Sequence, residues 1–276
     1  MSEMHEANRA GWDAVSPHWQ ARVEARGTWR RCHREPALVL APAEIAYLRD
    51  VTGRDACVLG SGDNLVVFAL AGMGARVTSV DISQAQLDTA ARRARDLGLE
   101  IRFLRADVTD LAALPDANFD LVYTGGHVAV WVSGLRRSYA EAGRILRPGG
   151  LFLVNEYHPF RRVWHTNWER EPKHLALEFG YFDRGPHRYD RSEEVPGATP
   201  GTYPSFEYHW TVADFVAAML ASGCELLALD EFGAGREGWD AAPLEGLPLC
   251  LLLVGRKRRA PEPCYNGRGD TDDDDR

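Results

Sequence analysis

One stretch of the chain, residues 56–81, constrains the fold more than any other. Its first apolar run ends at Gly60, which begins the turn Gly-Ser-Gly-Asp-Asn, and its second ends at Asp81. This order predicts a strand, a turn, a helix and a second, parallel strand. Glycine lacks a Cβ, so the turn can bend sharply and bring backbone N–H groups close to a ligand. Because a carboxylate in the position of Asp81 can accept hydrogen bonds from two ribose hydroxyls, the unit predicts a nucleoside-containing ligand.

The sequence of this turn does not match the motifs of two other kinds of nucleotide-binding site. A dinucleotide fingerprint needs a third glycine in the order G-x-G-x-x-G, whereas Leu65 stands at that position. A phosphate-binding P-loop needs a lysine that is not present here. Further apolar runs follow at 101–107 and 117–124, and a helical pattern then leads to the strand at 151–156. These alternations predict an α/β fold.

Four short motifs carry a resemblance to a known family: V-D-I-S at 80–83, A-D-V at 106–108, F-D-L-V at 119–122 and R-I-L-R-P-G-G at 144–150. Over residues 56–156 the chain resembles the class I S-adenosylmethionine-dependent methyltransferases, and most closely their small-molecule, ubiquinone-biosynthesis-like branch. The resemblance implies a doubly wound, mostly parallel, seven-stranded Rossmann-like sheet with an antiparallel last strand and an aromatic-rich cap insertion. It also implies methyl transfer from S-adenosyl-L-methionine to a small molecule, with O or N favoured over C as the acceptor atom.

The resemblance also implies roles for individual residues. Gly60 and Gly62 would face the methionine part of the cofactor, Asp81 would hold the ribose, and Asp107 would lie at the adenine edge. The cofactor-binding residues predicted in this way are Gly60, Ser61, Gly62, Asn64, Asp81, Ile82, Asp107, Val108 and Thr124.

Two residues depart from the family pattern and keep alternatives open. Val58 stands where an acid often precedes the first glycine, and Asn64 stands where a third glycine of the turn is usual. Asn tolerates positive φ better than most residues, so the turn can still form. The departures leave open a non-catalytic S-adenosylmethionine-binding regulatory protein. A nicotinamide-dependent oxidoreductase is a weaker alternative, because the third glycine of its fingerprint is missing.

Composition narrows the classes of partner. The chain has 276 residues and a formal net charge of −8, which argues against nucleic acid because phosphate binding needs a basic face. It has no apolar run long enough for a membrane span, and its polar N-terminus does not resemble a secretory signal. The five scattered cysteines suggest neither a disulfide framework nor a metal cluster. We therefore expect a cytoplasmic monomer or homodimer with a small-molecule substrate and no metal.

The chain divides into a helical N-terminal region at 1–50, a methyltransferase domain at 51–256 and a charged tail at 257–276 that is expected to be disordered. Within the domain, residues 157–210 hold five of the nine histidines and 12 of the 27 aromatic residues. This segment is predicted to cap the acceptor. Flat apolar walls suit an aromatic, heteroaromatic or isoprenoid molecule, and the predicted substrate-binding residues are Tyr157, Trp164, Trp168, Phe206 and Tyr208.

Candidate catalytic residues follow the ends of predicted strands, where an open α/β sheet binds its ligands. His127, His158 and His209 are candidates for a general base because imidazole titrates close to neutral pH. Glu156 is a candidate for orienting a substrate amine or stabilising positive charge. Trp12 and Trp19 lie seven residues apart on one helix face, where they form either a lid over the cofactor or an anchor for the helix.

Overall fold

The computed structural model describes residues 1–62, 65–163, 177–233 and 248–259. Its helices are α1 (Glu3–Arg26), α2 (Pro42–Leu48), α3 (Val66–Gly72), α4 (Gln84–Leu97), α5 (Leu135–Ile145) and α6 (Val212–Ala221). Its strands are β1 (Asp55–Leu59), β2 (Arg76–Asp81), β3 (Ile101–Arg105), β4 (Phe119–Gly125), β5 (Leu146–Tyr157), β6 (His187–Asp190), β7 (Pro204–Glu207), β8 (Cys224–Phe232) and β9 (Cys250–Lys257). Asn64, Trp164, Trp168 and nearly all of the predicted tail lie outside the described residues.

Seven of the strands form one sheet in the order β3-β2-β1-β4-β5-β9-β8. Strands β1 to β5 run parallel to one another, and β9 lies between β5 and β8 and runs antiparallel to both. The predicted doubly wound sheet with an antiparallel last strand is therefore confirmed. The strand order reverses between β1 and β4, and such a switch point is where open α/β sheets bind ligands.

The central strand β1 is buried on both faces, as a parallel strand covered by helices must be. Ala56 and Val58 belong to a core shared with α2, α3 and α4, whereas Cys57 and Leu59 belong to a second core shared with α5 and α6. The alternation places the hydrophobic residues of one strand in two separate cores. The sheet is consequently held rigid from both sides, and its carboxyl edge can position a site.

Local sequence signals set the helix ends. Ser83 accepts a hydrogen bond from Gln86 N at the start of α4, and Gly98 ends that helix at φ +67°. Thr211 and Asp214 form a capping box at the start of α6. Because Ser83 lies two residues after Asp81, this cap also determines where the chain turns after β2.

Helix α1 crosses the carboxyl edge of the sheet. The side chain of Asn8 is 2% exposed and pairs with Phe206 of β7, accepting from its N at 2.7 Å and donating to its O at 2.9 Å. Farther along the helix, Gln20 contacts both Gln86 and Arg93 of α4. Among the described helices, none is long and apolar enough to cross a membrane. Helix α1 thus docks on the β6–β7 hairpin.

Candidate active site

The glycine turn after β1 is built for close approach. Gly60 has φ +66°, and a Cβ added to it would lie 2.5 Å from Val128 Cγ1. A Cβ on Gly62 would overlap the Cβ of Gln86. Side chains larger than hydrogen therefore cannot stand at either position without moving a neighbour.

Asp81 lies at the end of β2 and receives two backbone hydrogen bonds. Gly62 N donates to Oδ2 and Ser83 N donates to Oδ1, both at 2.8 Å. A carboxylate offers about four acceptor positions, so two remain for ligand hydroxyls. Burial raises the pKa of Asp81 to about 6, against the opposing effect of these hydrogen bonds.

The other predicted cofactor residues surround the same edge. Ile82 and Val108 are half-buried there, whereas Ser61 and Thr124 turn their hydroxyls into the sheet. Ser61 Oγ lies 2.7 Å from Ser79 Oγ, and Thr124 Oγ1 donates to Leu59 O at 3.3 Å. The open lone pairs of Asp81, the two apolar side chains and the glycine cradle together fit a ribose, an adenine and a backbone-bound tail. The residues present therefore fit S-adenosylmethionine.

Asp107, after β3, is engaged by the N-terminal helix. Its Oδ2 accepts from His5 Nδ1 at 2.7 Å, and its Oδ1 accepts from Thr109 N and Oγ1. Burial alone would raise the pKa of Asp107, but the hydrogen bonds from His5 and Thr109 outweigh it and lower the pKa to about 2. Asp107 thus anchors α1, and its contact with adenine stays a prediction.

Comparison with known proteins identifies the family. A family model described as a methyltransferase domain matches residues 57–154. A demethylmenaquinone methyltransferase of Thermus thermophilus is 33% identical over 167 residues, which cover 58% of this chain and 70% of that protein. The chain belongs to the class I S-adenosylmethionine-dependent methyltransferases. It is also similar to a ubiquinone biosynthesis O-methyltransferase of Maricaulis maris, with 29% identity over 48% of this chain and half of that protein.

A solved structure agrees with this assignment. The S-adenosylmethionine-dependent methyltransferase of Mesorhizobium loti superposes with a TM-score of 0.56 and 25% identity, covering 79% of this chain and 99% of that chain. The protein is therefore an enzyme that uses S-adenosylmethionine. Neither the nicotinamide-dependent oxidoreductase nor the non-catalytic binding protein is supported by these relationships.

In this methyltransferase, Glu156 shapes the loop that follows β4. Its carboxylate is 4% exposed and accepts hydrogen bonds from the backbone N of His127, Val128 and Ala129 at 3.0, 3.1 and 3.0 Å. Burial raises the pKa of Glu156, although these three donors oppose the shift. The side chain thus holds Val128 against Gly60, and its predicted part in orienting a substrate amine or stabilising positive charge stays a prediction.

His127 is the candidate base that lies in this loop. It has φ +89°, a conformation that costs energy for a residue with a Cβ and that persists where surrounding contacts impose it. Its Nε2 contacts Arg162 Nη2. Burial, and then the charges of Arg162 and other arginines, lower the pKa of His127 well below its usual value, so the imidazole is neutral at physiological pH.

The other two candidate histidines contact residues outside this loop. His158 Nδ1 accepts from Phe160 N at 3.1 Å, and its Nε2 lies 2.6 Å from Glu231 Oε1. His209 is 5% exposed, its Nε2 lies 3.6 Å from Glu207 Oε2, and its ring centroid lies 4.2 Å from that of His187. No group of three or more His, Cys, Asp or Glu side chains within the described ranges is arranged to hold a metal ion.

A row of rings runs from α1 across the mouth of the site. We use the name aromatic row for Trp12, Trp131, His127 and Tyr157. Successive centroids lie 5.4 Å apart for Trp12 and Trp131, 5.7 Å for Trp131 and His127, and 4.9 Å for His127 and Tyr157. Trp19 extends the row at 6.3 Å from Trp12 and also packs on the core beneath. Trp12 thus belongs to the mouth of the site, and Trp19 to the attachment of the helix.

Of the predicted substrate-binding residues, Tyr157 belongs to the aromatic row. Phe206 and Tyr208 instead lie where the β6–β7 hairpin meets α1. Phe206 pairs with Asn8, and Tyr208, 7% exposed, directs its hydroxyl to Met4 Sδ at 2.7 Å. Both residues therefore lie where they fix the position of the hairpin relative to the row.

Sequence reasoning missed four residues that organise the methyltransferase site: His5, Asn8, Asp13 and Arg191. Asp13 Oδ1 accepts from Ser83 Oγ at 2.6 Å and so ties α1 to the start of α4. All four make contacts with residues far away in the chain. For the three residues of α1, the available signal was their polar character on a helix that was otherwise predicted from its aromatic positions.

Proposed function

We propose that this methyltransferase methylates an O or N atom of a small planar aromatic molecule bound against the aromatic row. The observation that carries the proposal is that the row passes beside the glycine turn. Val128 packs on Gly60, and His127, a member of the row, directly precedes Val128. Flat rings offer apolar area and stacking partners to a planar ligand. An isoprenoid acceptor or a carbon nucleophile is the less favoured version of the same proposal.

The relatives support an aromatic acceptor. Their names place them in menaquinone and ubiquinone biosynthesis, and a quinone nucleus is a flat ring. Bound S-adenosylmethionine would supply an activated methyl group. The chain must then hold the acceptor in line, exclude water and receive a proton where the nucleophile carries one.

We assign these tasks to a few side chains. Asp81 holds the ribose through its two open acceptor positions, and Ile82 with Val108 holds the adenine. His127, neutral at physiological pH, orients the acceptor and receives its proton. Helix α1, held by His5 and Asn8, excludes water from above.

The proposal is tested in two steps with the full chain. S-adenosylhomocysteine should raise the melting temperature, because a ligand that binds only the native state stabilises it, whereas NAD and NADP should not. Incubation with S-adenosylmethionine and a metabolite extract should then yield aromatic compounds heavier by one CH₂ group. Methylation only of non-aromatic molecules, or of macromolecules, would overturn the proposed acceptor class while leaving the cofactor assignment intact.

A further inference from the structure

Arg191 is a buried cation beside the aromatic row. It is 6% exposed, and its Cζ lies 4.1 Å from the ring centroid of Trp12 and 5.4 Å from that of Trp131. Its Nε and Nη2 donate to the two carboxylate oxygens of Glu194 at 2.8 and 3.0 Å. The guanidinium is therefore held in one orientation by an ion pair along one edge and by two indole rings.

The third nitrogen of this guanidinium has no partner. Within the part of the chain that the structure describes, Arg191 Nη1 is buried and makes no hydrogen bond. Nε and Nη2 occupy one edge of the planar group, so Nη1 faces away from Glu194. A buried N–H group that makes no hydrogen bond destabilises a protein, and the cost is larger when the group is charged than when it is neutral. Nη1 of Arg191 is therefore a buried donor for which the described residues provide no acceptor.

The surroundings favour a negatively charged acceptor. The Cζ atoms of Arg161 and Arg162 lie 4.9 and 6.0 Å from the Tyr157 ring centroid, at the other end of the row. The nearby carboxylates are engaged: Glu194 with Arg191, and Glu207 with Arg162. Three guanidinium groups against these two carboxylates leave an excess of positive charge beside the row, which concentrates anions.

We propose that the acceptor is an aromatic carboxylate, whose carboxylate binds Nη1 of Arg191 while its ring lies against Trp131 and His127. Trp131 adjoins both the guanidinium and the imidazole, at 5.4 and 5.7 Å from its ring centroid, so one substituted ring can reach both groups. The inference rests on the proposed function, since it names the class of acceptor for the same site.

Calorimetric titration of the full-length protein, saturated with S-adenosylhomocysteine, tests the inference without any mutation. The probes are hydroxybenzoates and hydroxynaphthoates, each paired with its primary carboxamide, which has the same shape but no charge. A hydrogen bond to a charged group is worth about 1.5–3 kcal/mol, so the carboxylate should bind at least about tenfold more tightly than its carboxamide.

Variants test whether Arg191 causes the preference for carboxylates over carboxamides. Arg191→Gln should reduce the carboxylate-to-carboxamide affinity ratio to near one while leaving the affinity for S-adenosylhomocysteine unchanged. Arg191→Lys retains the charge and should keep a reduced preference, which covers the case in which the glutamine variant does not fold. Arg188→Gln is the matched control, because Arg188 is exposed on β6 and its loss changes the net charge equally.

The outcomes separate the two proposals. If S-adenosylhomocysteine binds but carboxylates and carboxamides bind equally, or no probe binds, the aromatic carboxylate is wrong and the methyltransferase proposal stands. A preference that survives in folded Arg191→Gln would also overturn it, because another group would then hold the anion. If S-adenosylhomocysteine itself does not bind, the proposed function fails first.

Discussion

His5 Nδ1 donates a hydrogen bond to Asp107 Oδ2 at 2.7 Å and joins the first turn of the protein to the end of β3. His5 Nε2 accepts from Ser133 N at 2.9 Å, which assigns the ring proton to Nδ1. Both residues of the pair are almost wholly buried, 3% exposed for His5 and 5% for Asp107. The N-terminal helix is thereby fastened to the segments that follow β3 and β4, and one imidazole makes both attachments of this proposed lid.

Replacing His5 by Ala should loosen this lid. The hydrogen bonds lower the pKa of Asp107 to about 2, so the stabilisation is present above the ordinary aspartate pKa of about 4 and is lost as the pH falls toward about 2. At neutral pH, His5→Ala should lower the free energy of unfolding by about 1.5–3 kcal/mol, with a smaller difference in acid. Urea titrations across pH measure this. Exposed His18 on α1 provides the control His18→Ala, and equal losses in both variants would refute the assignment.

Asp81 should make cofactor affinity pH-dependent. Its pKa is raised to about 6 by burial, while ribose hydroxyls would favour its ionised form. Affinity for S-adenosylhomocysteine should therefore be constant above about pH 6 and fall roughly tenfold per unit below it. The stability of the unliganded protein has the opposite pH dependence. Its native state retains the proton on Asp81, so the free energy of unfolding falls as the pH rises through about 6.

Two variants check this dependence by calorimetry. Asp81→Asn should bind at least about tenfold more weakly and without the pH effect. Asp88→Asn, at an exposed position of α4, should retain both the affinity and its pH dependence. A pH dependence that persists in Asp81→Asn would mean that another group holds the ribose.

Glu156→Gln should destabilise the loop after β4. A glutamine has one oxygen where the carboxylate has two, so it cannot accept from all three backbone N–H groups. We expect a loss of about 1.5–3 kcal/mol in the free energy of unfolding and a fall in kcat, since His127 loses its backbone support. Chemical denaturation and steady-state kinetics measure the two effects. The exposed control, Glu225→Gln on β8, should show neither; a stable but inactive Glu156→Gln would point to direct catalysis instead.

His127→Asn should lower kcat by about a hundredfold or more if His127 receives the acceptor's proton. Asn tolerates the positive φ of this position, so the loop should keep its shape. Burial and nearby arginines lower the pKa of His127, so the acid limb of the kcat profile should lie below the usual histidine range and vanish in the variant. Measuring kcat at saturating S-adenosylmethionine separates this acid limb from the pH dependence that Asp81 gives to cofactor affinity. His18→Asn is the control and should leave kcat and its pH profile unchanged. If His127→Asn also leaves both unchanged, catalysis rests on proximity alone.

The sequence allowed a prediction of the cofactor half of the site because that half is local. Gly60, Gly62 and Asp81 lie within one βαβ unit, whose turn chemistry and apolar periodicity are readable along the chain. Glu156 shows the limit: its place at the end of β5 was predictable, but its partners are 27 to 29 residues away. A carboxylate at a strand end looks the same in sequence whether it meets a substrate or a loop.

The sequence by itself predicted the succession of strands and helices along residues 56–156, the glycine turn and a ribose-binding role for Asp81, because backbone geometry and hydrophobic periodicity act over short separations. Only the tertiary structure decided the contact of His5 with Asp107, the pairing of Asn8 with β7 and the position of Arg191 on the aromatic row. These contacts join residues separated by 102, 198 and 179 positions. Such contacts depend on how α1 and the β6–β7 hairpin pack over the sheet, and no local propensity encodes that packing.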